Sequence, residues 1–479
     1  MQRTRLLRFS RGFFQVSCAA PGVLALGLAL TACGDPCAYP DVRDRLAAAS
    51  AGSTVELGAC TVVAEEPLVV PPGVHLRGHE SGTRIEGRVV LLGSEGATTQ
   101  LSRVAVTGGA GGDVVRVWSE AGGGEVSITD VHVTARVGIA VAVDEVESLT
   151  MSGVTLVGGI AGEEDATLAT QPTVPGGREF ADYGLVALGS RITLSELDVR
   201  GFRVAGACLA VGTTGTWRGG AAGNGIGAGV QVAVDADVSL EDVEISELWL
   251  APAVTSIGVH VDGARVRAAG MTEAMPLVGD AWGVVVANGA EASLENVLID
   301  SNARLGGVAV VDGGALVMQG GSIVGTTQFG VFAYGAASLS LTGTEIRDVV
   351  RHAATWSATT EVGDGIFSGR GEGDAPTAIS LSGVTLSGNS RIGALFDGNG
   401  MDPASLALSD VEVSVPEAIA DARGVHLQNV AALPPDWDSD VRRDAITQAR
   451  DLSGSALEIV EAPSTPYGVI MPPTLVAAE

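Results

Sequence analysis

The sequence predicts an all-β solenoid, and three observations predict it. A short glycine-led apolar phrase recurs along most of the chain, apolar residues alternate with others at every second position around it, and glycine is abundant, at 67 of 479 residues. Alternation at period two puts one side chain inward and the next outward, which is strand geometry. A hydrophobic content of 46% excludes a disordered chain. There are 28 Lys+Arg, all of them arginine, against 56 Asp+Glu, for a net charge of −28. Such a chain repels nucleic acid and anionic lipid, so neither is expected as a partner.

Residues 1–32 read as a secretion leader. Arg3, Arg5, Arg8 and Arg11 precede the apolar run Val23–Leu30, with no acid in between. That run is too short to span a bilayer, and no later segment reaches the length a spanning helix needs. The sequence Leu30-Thr31-Ala32-Cys33 resembles the lipobox of bacterial lipoproteins. The resemblance implies a lipid on Cys33, loss of everything before it, and a protein anchored in the cell envelope through that lipid. Gly34 rather than Asp after the cysteine favours the outer membrane. With Cys33 lipidated, Cys37 and Cys60 are expected to pair as a disulfide in an oxidising compartment. Cys208 is then left as packed filler.

The recurring phrase begins at Gly138-Ile-Ala-Val and continues at Gly184, Gly206, Gly229, Gly258, Gly283, Gly307, Gly330, Gly365, Gly393 and Gly424. The shortest spacing is 22 residues, the length of one coil, and longer spacings carry loops. A second phrase follows most of these: strand, two-residue turn, strand, as in Val238–Ile245, Ala292–Ile299 and Ser338–Ile346. Three short strands per coil, in about twelve coils, resemble the right-handed parallel β-helix of the pectate-lyase-like superfamily, over residues 51–430. At the strand spacing of about 4.8 Å such a rod is roughly 58 Å long. Open ends of the stack need cover. Within residues 33–50, Asp41–Ala49 reads as an N-terminal cap helix with Val42, Leu46 and Ala49 on one face. Residues 431–479 read as the closing cap, with a helix from Asp438 to Leu452.

In that superfamily the glycine-led strand floors a groove for polysaccharide. The outward residues on it are expected to be Ala140, Val186, Cys208, Gln231, His260, Val285, Ala309, Phe332, Phe367, Leu395 and His426. This row is mostly apolar, and adjacent coils present no carboxylate pair of the kind hydrolysis or elimination needs. The polygalacturonase and alginate-epimerase signatures are missing; Gly363-Asp364-Gly365 and Arg391-Ile392-Gly393 are loose echoes. The acid–base candidates are therefore His260, Asp262, Asp364, Arg391 and His426. Asp262-Gly263 recurs as Asp312-Gly313 and Asp397-Gly398, which points to a turn role. No cofactor is expected. Calcium repeats, EF-hand loops and paired histidines are absent, so no metal is expected either.

Extra residues fall at 158–183, 211–225 and 349–364, before the groove strand in each case. Trp217, Trp249, Trp282 and Trp356 lie in the corresponding inter-strand segments, and Phe332, Tyr334 and Phe367 lie on the groove strands. Either these aromatics form a shelf for a glycan or a surface protein, or they pin the loops onto the sheet. Three function classes follow: a glycan- or partner-binding envelope rod, a polysaccharide lyase, hydrolase or epimerase acting over the central coils, and a passive surface-layer protein.

Overall fold

The strands wind as a parallel β-helix in which each coil pairs with the next. The computed structural model describes residues 37–108, 112–119, 122–159, 181–223, 225, 227–246, 248, 257–275, 282–301, 305–335, 337–354, 357–369, 377–397, 406–414, 423–428 and 458–459. The leader with Cys33, and the closing helix expected at 438–452, lie outside these residues.

Two sheets line the rod, one of 25 strands and one of 16. The coil containing Ile257–Asp262 shows the pattern: this strand belongs to the 16-stranded sheet, and Arg265–Ala269 and Thr272–Met275 to the other. The next coil repeats it with Trp282–Ala287, Glu291–Glu295 and Leu298–Ser301, at the registers Val259↔Val284, Val266↔Ala292 and Thr272↔Leu298. Inward positions stack in columns such as Val230, Val259, Val284, Val308 and Val331, all buried. Each such side chain contributes about 1.5–3 kcal/mol by leaving water.

The corner between the two strands of the 25-stranded sheet is the two-residue turn expected, and its first residue is left-handed. Asp242 (φ 53°), Gly270 (φ 63°), Asn296 (φ 51°), Gly320 (φ 66°) and Gly343 (φ 60°) take that position in successive coils. Glycine, Asn and Asp tolerate that conformation best, which explains the alternation of these residue types. The opposite corner is a two-residue turn with both φ positive, as in Asn288-Gly289 and Asp312-Gly313. Asp262 does not belong to it. It is paired in register with Ala287, one residue before the turn, so its likeness to Asp312 is one of sequence only.

The glycine that leads each phrase sits where neighbouring backbones come closest. A Cβ on Gly206 would lie 2.6 Å from the carbonyl oxygen of Gly229, and one on Gly330 would lie 2.5 Å from that of Gly365. Register shows that Ala140 and Val114 occupy this slot in earlier coils, and that Gly138 lies two residues before it. The outward residue of that coil is therefore Ala142, not Ala140, and the row extends back through Arg116, Val90 and Val69.

At the first end, Tyr39–Ala47 forms the cap helix, two residues ahead of the span read from sequence because Pro40 suits its first turn. Tyr39, Val42 and Leu46 are buried, and the helix packs against Leu68–Val70. Cys37 and Cys60 are joined by a disulfide, with Cα atoms 6.2 Å apart. Closing a loop of this length stabilises the capped end by about 3 kcal/mol. The supposed insertion at 211–225 is instead largely a ten-residue strand, Thr214–Gly223, bent at the left-handed Gly219 and Gly220.

Val211 (φ 54°) and Val234 (φ 49°) are β-branched residues in the left-handed region, 55% and 56% exposed, at the same corner of adjacent coils. That conformation strains a branched side chain without any burial to offset it. Val234→Asn should stabilise the rod by about 1 kcal/mol, read as a raised urea midpoint. An unchanged or lowered midpoint would contradict this account of the corner.

Candidate functional site

The outer face of the 16-stranded sheet carries three parallel rows of side chains, brought together by register. The central row runs Val90, Arg116, Ala142, Val186, Cys208, Gln231, His260, Val285, Ala309, Phe332, Phe367, Leu395. One flank holds Asp113, Ile139, Tyr183, Ile257, Trp282 and Phe329; the other holds Leu92, Trp118, Asp144, Asp262, Ala287 and Tyr334. Beyond His260 these rows are apolar, the apolar half of the face; before it polar residues are interspersed among apolar ones, the polar half.

The apolar half is closed. Trp282, Val285, Ala309, Phe329, Phe332, Phe367, Ile392 and Leu395 are buried in a second hydrophobic core outside the sheet, separate from the one inside the coils. Phe332 stacks on Phe367, centroids 5.1 Å apart, and Trp282 lies against Phe329 and Phe332 at 6.4 and 6.0 Å. These rings therefore offer no open face. Of the two alternatives read from sequence, shelf or packing, Trp282, Phe332 and Phe367 follow the second: they gather and are buried, because an apolar parallel sheet needs cover on both faces. Tyr334, half-buried, stacks on Phe332 at the margin. Trp217 is further off: it is fully buried, its indole N–H donates to the Gly219 carbonyl at 2.9 Å, and it lies on the 25-stranded sheet. Trp249 and Trp356 lie outside the described residues.

Of the acid–base candidates, the structure brings Asp364 and Arg391 together. Arg391 Nε donates to Asp364 Oδ1 at 2.7 Å and Nη2 donates to Oδ2, a bidentate pair with both side chains buried at the base of the hairpin His352–Gly369. Sealed in this way, it is part of the closed half. His426 lies beside Leu395 in register, on Arg423–Gln428; its side chain is outside the described set. Asp262 accepts a hydrogen bond from Asn288 Nδ2 at 2.6 Å, a link between coils.

The polar half is open. Arg88 Nη2 pairs with Asp113 Oδ2 at 2.8 Å, and Arg116 stands between Asp113 and Asp144, at 3.5 and 3.7 Å. Trp118, two residues beyond Arg116, is half-buried and neighbours Asp144 in register. Sequence reading missed these residues because the glycine slot of their coil is filled by Val114. Their signal was the alternation Asp113-Val-Val-Arg-Val-Trp118 itself. Farther along come Tyr183, Cys208, Gln231 and His260. Burial pushes the Cys208 thiol up to about 11, so at neutral pH it is protonated and a poor nucleophile. Burial, then the nearby Cys208, raises Tyr183. Burial lowers His260, opposed by Asp262, so its ring is neutral at pH 7. Among the described residues no group of three or more His, Cys, Asp and Glu is arranged to hold a metal ion.

No protein-family profile matches the chain, and no curated protein is similar to it in sequence. It is similar to solved structures at low identity. The A-module of the mannuronan C-5 epimerase AlgE6 of Azotobacter vinelandii is 13% identical, over 83% of this chain and 94% of that one, with a TM-score of 0.34. A mannuronic-acid-specific polysaccharide family 6 lyase from human gut microbiota is 11% identical, over 89% and 90%, with a TM-score of 0.35. The surface adhesin PfbA of Streptococcus pneumoniae is 11% identical, over 64% and 84%, with a TM-score of 0.26.

Two predictions follow from this site. Asp364→Asn leaves the Arg391 charge buried against a neutral group and should cost about 3–5 kcal/mol, whereas Asp364→Leu with Arg391→Met should be far milder. Equal losses for both variants, measured by denaturant unfolding, would contradict the sealed-pair description. His75, His132 and His260 are all lowered by burial, so the unfolded chain binds more protons than the folded one below the ordinary histidine value. Their contribution is full above about pH 6.5 and is lost as pH falls towards the lowered folded values. His260→Gln should flatten the fall in melting temperature between pH 7 and 5. A slope identical to wild type would exclude His260 as a contributor.

Proposed function

We propose that this protein is a bacterial cell-envelope lipoprotein whose β-helical rod binds a glycan along the outer face of the 16-stranded sheet. The observation that carries the reading is the division of that face: a sealed apolar half beside a half-buried polar half in which Arg116, Gln231 and His260 share the central row, Asp113 and Tyr183 one flank and Trp118 and Asp144 the other, with Arg88 paired to Asp113. From Arg116 to His260 the central row advances five coils, about 24 Å at the strand spacing, long enough for an extended chain. Convergent polar groups beside an aromatic ring on a rigid surface suit a polyhydroxylated ligand. The envelope assignment is supported by the leader, by the lipobox-like Leu30-Thr31-Ala32-Cys33, and by the Cys37–Cys60 disulfide, a bond that persists in oxidising compartments.

The competing reading is a lyase, hydrolase or epimerase, and one observation favours it: a guanidinium and two carboxylates meet on the open face. Against it, Arg116 occupies the space between Asp113 and Asp144, where hydrolysis needs room for a glycosidic oxygen or a water.

Incubation of the purified protein with polysaccharides separates these readings, with retention and release of reducing or unsaturated ends both recorded. Retention without products is expected. Products lost on Arg116→Ala would establish the enzyme, and neither signal would leave a passive rod. For the anchor, labelled palmitate should enter the wild type and not Cys33→Ser; labelling of both would refute lipidation at Cys33.

A further inference from the structure

We infer that Arg88, Asp113, Arg116, Trp118 and Asp144 form a subsite for an uncharged pyranose, so that the glycan of the rod is a neutral one. This rests on the glycan-binding reading and narrows it. Two arginines and two carboxylates make a site of zero net charge within a chain of net charge −28. A uronate brought here would meet a carboxylate for every guanidinium, after crossing a repulsive long-range field. An amino sugar would be drawn by that field but would meet Arg88 and Arg116. A hydroxyl both donates and accepts, so vicinal hydroxyls match alternating Arg and Asp partners.

The hydrogen-bonding capacity of the site is only partly used. Asp113 is 15% exposed and takes both arginine contacts on Oδ2. Asp144 is 40% exposed, with Arg116 at 3.7 Å, beyond hydrogen-bonding distance. Arg116 is itself 40% exposed, so its guanidinium is held in place by two loose contacts and can serve a ligand. Among the described residues Arg88 Nε is buried without a hydrogen-bond partner, while Nη2 of the same guanidinium meets Asp113. Trp118 stands about 7 Å from Arg116 along the strand, on the same face, where an indole can lie against the apolar face of a sugar whose hydroxyl edge meets the charged row. Asp113, Arg116 and Trp118 sit on one strand and Asp144 on the next, so their spacing is fixed by backbone pairing, while Arg88 immediately precedes the strand of the coil before.

The test is affinity electrophoresis of the purified protein through gels containing laminarin, mannan, galactan, polygalacturonate or alginate, at low and high salt. Retardation by a neutral polymer and by neither polyuronate is expected. High salt should not create polyuronate binding, because the site itself lacks net positive charge. Arg116→Ala and Asp144→Asn should each weaken retardation about tenfold or more, and Trp118→Ala likewise, with Trp118→Phe retaining part of it. Melting temperatures close to wild type separate these losses from misfolding. Retardation by a polyuronate instead of a neutral glycan would overturn the subsite and leave the groove reading intact. So would a neutral glycan bound equally by wild type and the Arg116 and Asp144 variants. Retardation by none of the five polymers would overturn the groove reading itself.

Discussion

Backbone pairing in this rod runs from each coil to the next, at one register that all three strands of the coil must share. Parallel pairing leaves a strand's hydrogen-bonding groups unsatisfied unless both neighbours are present, so coils stabilise one another as nearest neighbours. A slip of one residue in any strand would turn its buried row outward. The corners enforce the register. The left-handed residue recurs in one place, as Asp242, Gly270, Asn296, Gly320 and Gly343, and the backbone closest approach recurs at the leading glycines. Variation in length falls at the other two junctions: three residues separate Ala287 from Glu291 but eight separate Gly369 from Ala378, and ahead of the glycine-led strand His352–Ala354 pairs back on the start of Ser357–Gly369.

These junctions border the sheet whose outer face divides in two. A parallel sheet presenting Val285, Ala309, Phe332, Phe367 and Leu395 outward has the composition of an interior surface, and it is buried as one. The buried pair Asp364–Arg391 belongs to this closed half. Two ions removed from water gain little net stability, but their bidentate geometry admits one arrangement of the hairpin base over the strand that follows. Toward the other end the same three rows carry Arg116, Asp144, Gln231 and His260, which tolerate water. The boundary between the buried and the half-exposed part of the face is thus a change of residue type along one straight row.

Most of the fold was legible because its signals are local and repeated. Alternation at period two gave the strands, glycine spacing gave the coil length, and Val42 with Leu46 gave the cap helix. The chemistry of the outer face was less legible, because facing residues are separated by a whole coil and one wrong register shifts every assignment. Gly138 was such a case: it mimics the leading glycine two residues early, which put Ala140 in the row and hid Arg116. Val114, in the true slot, has no glycine to advertise it. Trp217 misled for another reason. Its segment contains Gly215, Gly219 and Gly220 and reads as loop, yet these glycines sit within a strand whose neighbour Leu197 approaches the backbone closely. Burial of Trp282, Phe332 and Phe367 depends on what lies over the sheet, which local pattern does not encode.

A surface built this way binds differently from one carried on loops. Side chains such as Arg116 and Asp113 stand on strands fixed by both neighbouring coils, half-buried among the rows beside them, so little conformational freedom remains to be lost on binding. Individual contacts on an exposed face are weak, but the repeat multiplies them at constant spacing, and an extended ligand meets several coils at once. The negative field of the chain acts on every approaching polymer, whereas the neutral charge balance of Arg88, Asp113, Arg116 and Asp144 acts only at contact. On the proposed reading, selectivity would have two stages: the field would turn away polyanions at a distance, with a reach set by salt, and the four charged side chains would discriminate among what arrives by pairing hydroxyls with alternating donors and acceptors.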